Sequence, residues 1–272
     1  MAAITRVSLP GRLRRGQSAP VRFRVDLSDG LSTTVHLGAH DLRHTDVRVV
    51  SLARPEPLVT WCRRTGVPDA LVGGFFVTAS GRPLGELRLA GVRHQSIPFT
   101  APWGEIRACV HVADGLLRLA QRPQIVAEPG GDLLQAGPLL VHAAHPAVLD
   151  GTDAEGFAAA RDQFDSDITA GRHPRAALGV AGRIALSVVC DGRGPSDVGL
   201  TLGELAELMV ALGAHEAINL DGGGSATLVC GAQLVNRPRE QDGTDIPGGR
   251  PVSTAVVFTP RIDGEPSGTT TR

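Results

Sequence analysis

Two aspartates carry the strongest chemical signal in the chain. Asp191 follows the apolar run RIALSVVC (183–190), and Asp221 follows EAINL (216–220). Each is followed at once by glycine. Strand ends that meet at one edge of a sheet bring polar groups together, and a pair of carboxylates there can serve as acid and base or nucleophile in glycoside chemistry. Asp221 has more around it than a turn requires, because Gly222, Gly223, Gly224 and Ser225 all follow it. Asp-Gly alone is an ordinary turn dipeptide. Three consecutive glycines lose more backbone freedom on folding than any other residues, which is tolerable where a ligand must approach the backbone. Successive N–H groups in such turns form anion-binding nests. Arg175 and Arg193 can clamp a phosphate or hold a carboxylate.

Familiar alternatives fail on the residues. A nucleophile elbow needs G-x-S-x-G, but Gly224-Ser225 is followed by Ala226 and Thr227. A dinucleotide fingerprint needs different glycine spacing and a following helix, whereas TLV reads as strand. All 27 basic residues are arginine, so a P-loop and Schiff-base lysine are excluded; tyrosine is absent too. His36, His40 and His44 fall in strand and turn, and His142 and His145 in a surface loop, so neither set reads as a metal site. The four cysteines form no CxxC pair and are expected as buried free thiols. Net charge is −1, favouring neither nucleic acid nor anionic membrane. The arginine, alanine and glycine bias resembles GC-rich bacterial coding. No apolar h-region follows the N-terminal arginines, and no run is long enough to span a membrane, so a cytoplasmic enzyme is expected.

The elements that must position these groups are mostly strands. PVRFRVDL (20–27), TTVHL (33–37) and DVRVVSL (46–52) alternate apolar and polar. DALVGGFF (69–76) enters a Gly-Gly turn. ELRLAGV, RACVHVA, LLRLAQ and QIVA are strand candidates, and STAVVF (253–258) is another. Helices are predicted at 55–66 and at 201–213, where Thr201 and Glu204 make a capping box that accounts for Glu204 structurally. A second capping box, Thr152 with Glu155, predicts a helix over 151–164. The fold class is α+β: a single domain of mixed, mostly antiparallel sheets with a few scattered helices. An N-terminal strand extension covers residues 1–32, the catalytic domain 33–260, and a disordered tail 261–272.

GVPDALVGGFF, QAGPLLV, HPRAALG, the stretch from VVCDGRGPSD through INLDGGGSATLV, and VNRPRE followed by RPVSTAVVF occur in one order. In that order the chain resembles the phosphodiester glycosidase family over about residues 34–259. The resemblance implies a glycosidase that breaks a sugar–oxygen bond. Its matching functional positions are Gly73, Gly74 and Phe75, then His173 and Arg175, Asp191 and Arg193, and Asn219 through Gly222, Gly223, Gly224 and Ser225. The family usually has asparagine where this chain has Val72, so a polar contact to the sugar or to the active-site network is expected to be lost or replaced.

The expectation is therefore a glycoside hydrolase with Asp221 and Asp191 as its carboxylates. Arg175 and Arg193 orient the leaving group, and Asn219 and the glycine-loop amides bind sugar hydroxyls. The substrate is either a glycosyl phosphodiester or an O-glycosylated small molecule, such as a natural-product intermediate. No cofactor is required, although a divalent cation is not excluded. The rivals are a non-catalytic sugar- or phosphate-binding protein and a metal-dependent phosphodiesterase cutting P–O with the two aspartates as metal ligands.

Overall fold

The computed structural model describes residues 4–8, 19–149, 151–157 and 171–261. Among these, three larger sheets and a two-stranded ribbon contain nearly all the regular structure. The eight-stranded sheet runs in the order Ile4–Ser8, Val21–Leu27, Ser32–Asp41, Ile184–Cys190, Arg175–Ala181, Glu216–Asn219, Leu139–His142 and His145–Pro146. One five-stranded sheet is centred on Asp69–Val72 between Leu228–Cys230 and Pro251–Pro260. The other is centred on Asp132–Gln135. Every ladder between these strands is antiparallel. With α-helices described only at Leu58–Thr65, Trp103–Ile106 and Leu202–Ala211, the expected antiparallel sheets with a few scattered helices are present, and the fold is more strongly β than the α+β class implies.

Alternation decides which way the eight-stranded sheet faces. Phe23, Val25, Val35, Leu37, Leu186 and Val188 fall on one side and pack against Leu205, Leu208 and Met209 of the long helix. Ala176, Leu178, Val189 and Ile218 fall on the other and pack against Leu71, Val72, Val256 and Phe258 of the neighbouring sheet. The helix starts where expected: the Glu204 amide donates to Thr201 Oγ1 at 3.1 Å and the Thr201 amide to Glu204 Oε2 at 2.9 Å. Arg172 adds a bidentate ion pair to the same carboxylate. All four cysteines are buried and free. Burial pushes the Cys62, Cys190 and Cys230 thiols up to about 12. No described helix is long and apolar enough to cross a membrane.

Two expected elements are absent from the described residues. Residues 151–157 form turns instead of opening a helix. Glu155 does not cap its own segment; its buried carboxylate accepts the amides of Leu139 at 2.8 Å and Ala108 at 2.9 Å. Burial raises its pKa, partly offset by those two hydrogen bonds. The remainder of that predicted helix lies outside the described residues, as does nearly all of the predicted C-terminal tail. QIVA (124–127) is no strand: Pro123 has no N–H to give a ladder, and Arg122 binds the carbonyls of Ile125, Val126 and Ala127.

His40 sits between the sheets, its ring stacked on Phe258 with centroids 3.8 Å apart and its Nε2 3.0 Å from Ser187 Oγ. Burial lowers its pKa from 6.5 to about 4. The folded value is depressed, so the neutral ring's contribution is complete above pH 6.5 and is lost as pH falls toward about 4. The difference corresponds to about 3 kcal/mol. In urea denaturation, the stability gap between wild type and His40→Gln should narrow by about this amount between neutral pH and about pH 4. A gap that stays constant over that range would contradict the assignment.

Candidate active site

The Arg175–Ala181 strand lies between Ile184–Cys190 and Glu216–Asn219. It pairs Arg175 with Cys190 and Ala177 with Asn219. Its beginning and its neighbours' ends therefore meet at one sheet edge. Asp191 and Asp221 emerge there on either side of Pro174, as their positions after two buried strands predict. A Cβ on Gly192 would lie 2.7 Å from the Pro174 nitrogen, and the Gly223 amide donates to the Pro174 carbonyl at 2.8 Å.

Asp221 is fixed by two sheets at once. The Leu220 amide donates to Ala176 in the eight-stranded sheet at 2.9 Å, and the Asp221 amide donates to Gly73 at 3.0 Å, beyond the end of Asp69–Val72. The half-buried carboxylate accepts the Gly222 amide at 3.0 Å. Each glycine of the run then faces a different group. A Cβ on Gly222 would lie 3.0 Å from the Pro174 carbonyl oxygen, one on Gly223 3.1 Å from Arg193 Nη2, and one on Gly224 2.9 Å from the Arg250 guanidinium. Gly223 also has φ +57°, in the left-handed region. The run thus lets a carbonyl and two guanidiniums close on a tight turn.

The succession of free donors expected of an anion nest is not there. The Gly222, Gly223 and Ser225 amides bond Asp221, Pro174 and Gly222 respectively. Positive charge at the turn comes from arginine side chains. Arg193 Nη1 also donates to the Arg239 carbonyl at 3.2 Å, and Arg250 pairs with Glu240. Arg175 is buried, with Nε on the Leu200 carbonyl at 3.1 Å and Nη2 on that of Gly171 at 3.2 Å. Its Cα and Cδ lie beside Gly222.

The two carboxylates share an edge but point different ways. Arg175 lies in register with Cys190, which faces the helix. Asp191, one residue further on, turns to the opposite face. Its Oδ2 is 3.0 Å from His36 Nε2, on the strand away from Arg175, and its Oδ1 accepts the Arg237 amide at 2.8 Å. Backbone spacing puts Asp191 and Asp221 two strands apart, about 10 Å. Among the described residues, no group of three His, Cys, Asp or Glu side chains converges to hold a metal ion.

The other expected site residues divide between support and surface. Gly73 and Gly74 are buried where their amides meet the Thr254 carbonyl at 2.9 Å and Thr254 Oγ1 at 3.0 Å. Phe75 packs at 5.6 Å from Phe157. Asn219 is buried, its Nδ2 donating to the Gly137 carbonyl at 3.0 Å, while Oδ1 has no hydrogen-bond partner among the described residues. Ser225 is buried inside the turn. His173 is half-buried, and its backbone pairs with Leu200. Val72 is fully buried between the sheets, so the departure at this position lies in the core and not in the lining of the turn. Sequence reasoning missed His36 as the partner of Asp191, and Arg250 over Gly224. The alternation of TTVHL does place His36 opposite Val35 and Leu37, which was the available signal.

The family model for phosphodiester glycosidase matches residues 66–259. Among solved structures, the fold is similar to the zebrafish N-acetylglucosamine-1-phosphodiester alpha-N-acetylglucosaminidase catalytic domain auto-inhibited by its pro-peptide. That match has TM-score 0.68 at 18% identity, covering 94% of this chain and 88% of that one. A hypothetical protein from Synechocystis matches with TM-score 0.60 at 18% identity, over 94% of this chain and 64% of that one. No curated protein sequence matches the chain significantly. The match across most of the chain, over the strands that carry the aspartates and the glycine turn, shows that the chain belongs to the phosphodiester glycosidase family and is a glycosidase.

Proposed function

We propose that the protein hydrolyses the sugar–oxygen bond of a glycosyl phosphodiester, with Asp221 as the acting carboxylate. The observation that carries this reading is one aspartate at the head of a turn bordered by Arg175, Arg193 and Arg250. A phosphate leaving group departs with its own negative charge. It needs cationic stabilisation more than it needs a proton, so a second carboxylate close to Asp221 is not required. Water attacks the anomeric carbon and gives its proton to Asp221, while the C–O electron pair leaves with the phosphate oxygen. Arg193 and Arg250 offset the charge that accumulates there. Asp191 is a positioning residue: it orients His36 and holds the 235–239 loop through the Arg237 amide.

The zebrafish neighbour's name supplies the first substrate to test, an N-acetylglucosamine phosphodiester. Hydrolysis in heavy-oxygen water should place the label in the sugar. Label in the phosphate would mean P–O cleavage and end this reading. A simple O-glycoside of a small molecule is the comparison substrate. The buried position of Val72 removes the main reason to prefer it, so the phosphodiester should be turned over faster.

A further inference from the structure

Asp191 faces a cavity of about 310 Å³ that no residue of the glycine turn lines. Its walls are the paired strands Val21–Leu27 and Ser32–Asp41, the 191–197 segment and the 235–239 loop. Arg22 pairs in register with His36 and Arg24 with Thr34. Phe23 and Val25 between and beside them enter the helix-side core, so the two arginines and His36 project from the opposite face. Arg237 and Arg239 enter from the loop. Four arginines thus line one cavity, with Asp191 and Asp197 as its acidic lining residues; Arg239 also donates Nη1 to the Gly192 carbonyl at 2.9 Å.

The pairing leaves a surplus. Arg24 binds Asp197 at 3.2 Å, and that carboxylate also accepts the Thr34 amide at 2.8 Å. Arg237 and Arg239 share Asp245, at 2.9 Å and 3.1 Å. Asp191 is committed to His36 and a backbone amide. Arg22 has no acidic partner among the described residues. Its planar fork of donors suits the oxygens of a tetrahedral anion, and the paired arginines hold the rest of the wall in place.

We propose that this cavity is a second, anion-binding site that takes a phosphate dianion, separate from the glycine turn. Arg22 and Arg24 precede the residues matched by the family model, so the N-terminal hairpin completes the site. The inference stands apart from the hydrolytic reading, because binding is measured without turnover.

The test is calorimetric titration of the full chain with inorganic phosphate and with glycerol 3-phosphate at low ionic strength. Saturable binding is expected, weakened about tenfold or more in Arg22→Ala. Arg54→Ala, at an exposed arginine in another sheet, should bind as wild type. Equal affinity for the two probes would mean that the cavity recognises the bare anion. Tighter binding of the ester would mean that the phosphate arrives on an organic molecule. No saturable heat, or equal weakening in Arg22→Ala and Arg54→Ala, would overturn the proposal. Loss in Arg193→Ala with Arg22→Ala unaffected would put the phosphate at the glycine turn and overturn it as well.

Discussion

Asp221→Asn is expected to lower kcat/KM on a glycosyl phosphodiester by about 10³-fold, within the range seen when a positioned acid or base is removed, while leaving the melting temperature nearly unchanged. The side-chain oxygen that accepts the Gly222 amide survives the substitution, so that bond within the turn is kept while the charge and basicity are lost. Asp191→Asn should behave in the opposite way. Its carboxylate accepts the Arg237 amide and pairs with His36 Nε2. An amide in its place can still accept from Arg237, but it keeps the His36 contact only if that ring shifts tautomer and accepts at Nε2. Losing the charge-assisted pair costs about 1–3 kcal/mol, with a smaller fall in kcat. Steady-state kinetics and thermal melts on the two variants separate the roles. If Asp191→Asn lost as much activity as Asp221→Asn at unchanged stability, the assignment of a single acting carboxylate would be wrong.

Gly73→Ala should be the most damaging single methyl in the site. The added Cβ would lie 2.4 Å from Thr254 Oγ1 and 2.7 Å and 2.8 Å from that residue's backbone carbon and oxygen. No side-chain rotation relieves a clash with backbone, so the strand end must move. Overpacking of this kind costs about 3 kcal/mol or more, a fall of about 10 °C in melting temperature for a chain of this size. Activity should fall further than stability implies, because the Gly73 carbonyl accepts the Asp221 amide. Gly130→Ala is the control, since nothing lies within 4 Å of its added Cβ and its φ is ordinary. A Gly73→Ala protein with wild-type kcat and melting temperature would refute this account of why glycine is needed there.

Much of this architecture can be read from residue order. The alternating and continuous apolar runs give the strands, and Thr201 with Glu204 gives the long helix, because each signal is local. The positions of Asp191 and Asp221 after buried strands also follow from residue order, whereas the Arg175–Ala181 strand between them carries no comparable signal. What fails is what depends on distant partners. Thr152 and Glu155 have capping-box spacing, but the amides that claim Glu155 belong to Ala108 and Leu139. The contact between Asp191 and His36, 155 residues away, is equally invisible in the local pattern, because it comes from the pairing of Ile184–Cys190 with Ser32–Asp41. The glycine run reads as an anion nest, whereas Arg193 and Arg250 occupy the space its missing side chains leave. Short-range pattern specifies the backbone; side-chain direction at the edge is specified by sheet pairing across the whole chain.

Consecutive amides at Leu220 and Asp221 bind two different sheets. The acid therefore works as a gauge of the gap between those sheets. Anything that shifts them apart, whether a cavity cut near Val72 or mild denaturant, displaces the carboxylate before secondary structure is lost. Turnover should then decline ahead of circular dichroism, so that the enzyme's own rate reports slackening in its core.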